Sequence, residues 1–120
     1  MKELLVNLLE SFGYPVYLQG TLHEEVPYPE HFFTYFNNDT SDLAHYDNST
    51  VDFEWNFDVM FYSIDPELVL DMCDRARKLL KQNGFVIPGK GFDVMSDEPT
   101  HTGRGFTALI RERQEEKNYA

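Results

Sequence analysis

The stretch that decides the fold is Val51-Asp52-Phe53-Glu54-Trp55-Asn56-Phe57-Asp58-Val59-Met60-Phe61-Tyr62-Ser63. Val51, Phe53, Trp55, Phe57, Val59 and Phe61 share one parity, and Asp52, Glu54, Asn56 and Asp58 share the other. Successive side chains of a strand point to opposite faces, so this alternation predicts a half-buried β-strand. A helical period of 3.6 residues would scatter the aromatics around the axis. Extended at about 3.3 Å per residue, the strand is roughly 40 Å long. One face is a row of large apolar groups that something must cover. The other is wet and acidic.

Working outward, Asp65-Pro66-Glu67 opens a helix. Asp65 is a good N-cap, Pro66 suits the first helical position, and Glu67 suits the positive end of the dipole. Leu68, Val69, Met72, Cys73, Ala76, Leu79 and Leu80 form its apolar face, and Asn83-Gly84 ends it. Covering the aromatic face of the long strand is the expected role of this helix. Cys73, the single cysteine, is expected as a small buried hydrophobe, with no disulfide framework.

Upstream, Leu4, Leu5, Leu8, Leu9 and Phe12 mark an amphipathic helix of about three turns. Gly13 and Pro15 stop it. Val16–Leu18 and His31–Phe36 read as strands, and the latter is strongly aromatic. Between them, Pro27 and Pro29 predict an extended or looped segment. Asn37–Thr50 reads as a polar loop, so a hairpin with a long tip is expected. Downstream, Phe85–Ile87 reads as a short strand, Pro88–Gly105 as a glycine-rich loop and Phe106–Arg111 as a last strand. Residues 1–111 are thus expected as one domain, and Glu112–Ala120 as a charged, frayed tail. The fold class is α+β: a small, largely antiparallel sheet of four to five strands with two helices packed on one face.

The 120 residues are 42% hydrophobic and 15% aromatic, enough for a real core. Asp and Glu number 21 against 10 Lys and Arg, a net charge of -11. Tight gripping of duplex DNA normally needs a basic surface, so it is disfavoured. No apolar run reaches membrane-spanning length. Met1-Lys2-Glu3-Leu4-Leu5 enters a helical pattern directly, which points away from a secretory leader and toward a reducing cytoplasm.

Few motifs carry chemistry. Gly84-Phe85-Val86-Ile87-Pro88-Gly89-Lys90-Gly91 approaches a phosphate loop but has Gly91 where a hydroxyl must bind magnesium, and it follows a helix rather than a strand. A helix cap and a turn explain it. Asp52-x-Glu54, with Asp58, could serve a two-metal nuclease if Asp93, Asp97, Glu98 or His101 converged on it. The simpler account is the solvent face of an acidic strand. His23, His31, His45 and His101 lack metal-ligand spacing, and Ser63, Ser96 and Cys73 lack nucleophile context. No catalytic residue, cofactor or metal is expected. The aromatics are more numerous than one small core readily hides. Phe33, Tyr35 and Tyr62 are read on the parity opposite to their strands' main apolar positions. With Tyr46 in the loop, they are candidates for an oligomer or partner interface.

A resemblance joins these readings. The aromatic strand from Phe53 leads into Tyr62-Ser63-Ile64-Asp65-Pro66 and a helix with Ala76-Arg77-Lys78-Leu79-Leu80. Asn83-Gly84-Phe85, Gly89-Lys90-Gly91-Phe92-Asp93-Val94 and Ser96-Asp97-Glu98-Pro99-Thr100-His101-Thr102-Gly103-Arg104-Gly105 come after it. With Phe32-Phe33-Thr34-Tyr35-Phe36-Asn37-Asn38-Asp39-Thr40-Ser41-Asp42, this resembles the small tail-terminator or tail-completion proteins of long-tailed bacteriophages and prophages. The resemblance implies an α+β fold and a structural role. The chain would form a ring, commonly a hexamer, capping the tail tube protein and meeting the head–tail connector. It would reside in the host cytoplasm during assembly and in the virion tail or neck afterwards. Asp52, Glu54 and Asp58 would then be candidates to line the lumen and repel passing DNA. The competing expectations are a small metal-dependent nuclease and a cytoplasmic adaptor binding through the Asn37–Thr50 loop.

Overall fold

The computed structural model describes residues 1–19, 29–46, 50–96 and 98–115; side chains are placed for these except at 39–46, 50–52 and 113–115. The elements run α1 (Lys2–Glu10), β1 (Val16–Leu18), β2 (His31–Tyr46), β3 (Thr50–Ser63), α2 (Pro66–Gln82), β4 (Phe92–Val94) and β5 (Thr102–Glu115). The strands form one five-stranded sheet in the order β1-β2-β3-β5-β4. Only the β1–β2 pair is parallel; β2–β3, β3–β5 and β4–β5 are antiparallel. This is a small α+β fold with a mixed, mostly antiparallel sheet, as expected.

β3 is the central strand because its apolar parity meets the helices. Phe57, Val59 and Phe61 are fully buried against Leu5 and Leu9 of α1 and Val69, Met72, Cys73, Ala76 and Leu80 of α2. Both helices therefore lie on one face of the sheet. Phe106, Ala108 and Ile110 of β5 complete this core. Burying a side chain of Phe or Leu size contributes about 1.5–3 kcal/mol, so this layer dominates stability. α2 begins as its sequence requires. The Asp65 carboxylate accepts the Glu67 backbone N–H at 3.1 Å, with Pro66 in the first turn. Gly84 follows the helix at φ 93°, where a residue with a Cβ would be strained.

Several boundaries differ from the sequence reading. Asn37–Thr50 is not a long loop: β2 continues to Tyr46 and β3 begins at Thr50. Polar composition did not prevent pairing, because backbone hydrogen bonds need no apolar side chain. β2 absorbs the extra length in two bulges, one between Asn37 and Asp39 and one between Asp42 and Ala44. Phe85–Ile87 makes only one bridge, Val86 to Leu109, rather than a strand. The glycine-rich stretch after Pro88 contains β4 and the start of β5. β5 runs on to Glu115, past the Arg111 end expected for it; residues 116–120 lie outside the described residues. Beyond the helices, β2, β3 and β5 continue together as a three-stranded arm, and the molecule measures 56 × 31 × 22 Å.

Candidate functional site

Two parities of the sheet have different fates. His31, Phe33 and Tyr35 pair with Ser63, Phe61 and Val59 and share the helix-covered face. Phe33 is fully buried, with its ring 4.7 Å from that of Phe61. It is a core residue and cannot serve as an exposed interface residue. The parity assignment fails because both parities of β2 are aromatic, and only pairing with β3 decides which faces the helices. Tyr35 is half-buried on the same face, beside Lys2, Glu3, Val6 and Asn7 of α1, where they form a shallow groove. Tyr46 pairs with Thr50 near the end of the arm, and its side chain lies outside the described residues.

Tyr62 points to the open face but is only half exposed. It stacks on Phe32 at 5.2 Å and 24°. Phe32 also meets Tyr17 and His101 edge-on. On β5, Gly103 and Gly105 leave room: Tyr62 and Val94 fill the space beside Gly103, and Met60 and Phe92 that beside Gly105. The sequence reading missed this second, smaller apolar cluster. Its signal is the Gly103-x-Gly105 spacing, which puts two missing side chains on one face of one strand.

The acidic parity of β3 lies opposite a threonine and two arginine positions of β5. Asp58 accepts a hydrogen bond from Thr107 Oγ1 at 3.0 Å. Glu54 stands opposite Arg111 on β5, and Asp52 stands opposite Arg113. Opposite charges at facing positions of a strand pair attract one another. Asp93 forms an ion pair with Arg104 at 2.9 Å, and His101 Nε2 lies 2.8 Å from the Pro29 carbonyl oxygen. Glu98 is exposed, and Asp97 lies outside the described residues. Among the described residues no group of three His, Cys, Asp or Glu side chains converges on a point that could hold a metal ion.

The near-phosphate loop has the opposite polarity from an anion cradle. Arg77 donates to the Gly89 carbonyl at 3.0 Å, and Arg104 to the Lys90 carbonyl at 3.3 Å. Carbonyl oxygens are engaged here, whereas a phosphate loop offers amides.

His31, Ser63 and Glu30 invite comparison with a catalytic triad. Ser63 Oγ lies 2.7 Å from His31 Nδ1, and His31 Nε2 lies 3.9 Å from a Glu30 carboxylate oxygen. Ser63 is completely buried, however, and its oxygen also accepts the Asp65 N–H at 3.0 Å. A hydroxyl so enclosed ties the end of β3 to the start of α2 and offers no approach to a substrate. Cys73 is likewise buried. Its thiol contacts the Arg104 carbonyl at 3.4 Å, and burial pushes its pKa up to about 12. Reactive thiols sit in the opposite kind of environment.

Among the described residues no helix is long and apolar enough to cross a membrane. Comparison with known protein families and with curated proteins finds no match to the chain.

Proposed function

We propose that the chain is a structural protein of bacteriophage tail assembly, similar to tail terminators. It forms a homo-oligomeric ring, of six copies if it keeps the common number, that closes the tail tube and meets the head–tail connector. It acts in the host cytoplasm during assembly and in the virion neck thereafter. The resemblance across Phe53–Arg111 suggests the reading. The observation that carries it is architectural: both helices lie on one face of the sheet, and a three-stranded arm extends past them. A ring of identical copies needs two different patches per copy, and the groove beside Tyr35 and the extended arm offer two. An acidic lumen built from Asp52, Glu54 and Asp58 is part of the same proposal, with arginine positions 111 and 113 of β5 standing opposite Glu54 and Asp52.

Light scattering on the purified chain at low and high concentration, with and without purified tail tubes, tests the reading. A discrete ring-sized species, alone or on tube ends, is expected. A monomer that ignores tail tubes would sink it.

A further inference from the structure

Among the described residues, the outer edge of β5 is only partly occupied. β4 pairs with Gly103–Gly105, and Val86 pairs with Leu109. At that bridge the Val86 N–H donates to the Leu109 carbonyl at 2.8 Å, and the Leu109 N–H donates back at 2.9 Å. The backbone groups of Leu109 therefore point out of the sheet at this edge. In an antiparallel ladder, every second residue repeats that direction. Arg111, Arg113 and Glu115 thus present their N–H and C=O groups outward, and no strand among the described residues pairs with them on that side.

The register sets Arg111 and Arg113 opposite Glu54 and Asp52 of β3. Two arginines at alternate positions, followed in the same parity by Glu115, stand at this edge in a chain of net charge -11. On its inner side β5 already pairs with an acid-x-acid strand, Asp52-Phe53-Glu54. We infer that the outer edge of β5 accepts, by strand addition, an extended segment of a partner protein that carries carboxylates at alternate positions. Backbone pairing supplies the geometry, and the two arginines supply the preference. A second copy of this chain fits less well. Along β2 beyond its pairing with β1, Asp39 pairs with Asn56 and Asp42 with Phe53, so the two acids take register positions of opposite parity on β3. The inference stands whether or not the chain is a tail terminator.

A peptide of sequence Thr-Val-Asp-Phe-Glu-Trp-Asn, copied from residues 50–56, is a suitable probe. Titrated into the full-length isotope-labelled chain, it should shift amide resonances of residues 109–115. A peptide with lysine at both acidic positions should bind about tenfold more weakly, as should the acidic peptide to an Arg111→Glu, Arg113→Glu variant. N-methylating the amides of the two acidic residues keeps both charges and should abolish binding. Arg113→Pro, which removes an outward N–H, should act likewise. Three outcomes would overturn the inference: no binding of the acidic peptide, binding unaffected by N-methylation, or concentration-dependent self-association of the chain through these same amides. The N-methylated peptide keeps the test sound even if the proline variant fails to fold.

Discussion

Tyr62 and Gly103 face each other across β3 and β5, and the Tyr62 ring fills the space a side chain at 103 would need: a Cβ there would lie 2.7 Å from two ring carbons and 2.7 Å from a Val94 methyl. Glycine in a strand interior normally costs stability, so replacing it with alanine often helps. Here the sign should reverse. Gly103→Ala should destabilise the fold by about 1–3 kcal/mol, the usual cost of overpacking. Thermal melting of Gly103→Ala, Tyr62→Ala and the double variant checks this. The tyrosine truncation should relieve part of the alanine's penalty. Purely additive effects would show that the ring is not what excludes a side chain.

One hydroxyl links β3 to α2. Ser63 Oγ bonds both His31 Nδ1 and the Asp65 N–H from a fully buried position. Removing the hydroxyl leaves the part-buried Asp65 N–H without its acceptor and frees the turn. Ser63→Ala should cost about 1–3 kcal/mol in chemical denaturation. Ser63→Thr keeps the hydroxyl but adds a methyl where there is no exposed surface, so it should also destabilise.

Alkaline pH should weaken the fold through Cys73. The thiol ordinarily ionises near 9.0, but burial holds it protonated to about 12 in the folded chain. Between these values the unfolded chain binds fewer protons than the folded one. Stability is therefore fully present below 9 and falls as pH rises, by up to about 1.4 kcal/mol per pH unit from this group. Cys73→Ala should show a shallower alkaline loss than the native chain when the two denaturation curves are compared from pH 8 to 11. Parallel curves would show that Cys73 is not shielded. At neutral pH the native thiol should resist a thiol reagent that labels the unfolded chain readily.

Trp55, the single tryptophan, reports on the base of the arm. Its indole N–H donates to Glu112 Oε2 at 2.8 Å, and its ring stacks on Phe57 at 5.8 Å and 7°. Glu112→Ala should shift the fluorescence maximum and cost about 1–2 kcal/mol, because the acceptor is charged and the donor is half-buried. Glu112→Gln keeps an acceptor and should recover most of the loss. An unchanged spectrum in both variants would mean that β5 does not hold Trp55 through this contact.

The strength of local signals decided how much of the fold was legible in the sequence. Alternation at Phe53–Phe61 and the Asp65-Pro66-Glu67 start left little freedom for β3 and α2, and both formed where expected. The arm was hidden because Asn37–Tyr46 has no apolar period, and its pairing comes from the neighbouring β3 rather than from its own residues. Phe33 was misplaced for a related reason. His31-Phe32-Phe33-Thr34-Tyr35-Phe36 carries aromatics on both parities, and its facing is settled by Phe61 across the ladder. The placement of Glu54 opposite Arg111 was likewise invisible, since those residues are 57 positions apart and are brought together only by register.

β2 uses 16 residues to accompany the 14 of β3, and the surplus pair is Asn38 and Leu43, which face no partner residue. Each bulge exchanges which parity of the β2 sequence lies opposite the apolar parity of β3, and the second restores the parity that the first exchanges. The sweep of the arm is thereby encoded in one strand at two removable points. Deleting either residue, or both, would leave every other residue of β2 opposite its present partner on β3 while removing one bulge or both. The reach and pitch of this extension could therefore be adjusted over generations without disturbing the helix-covered core.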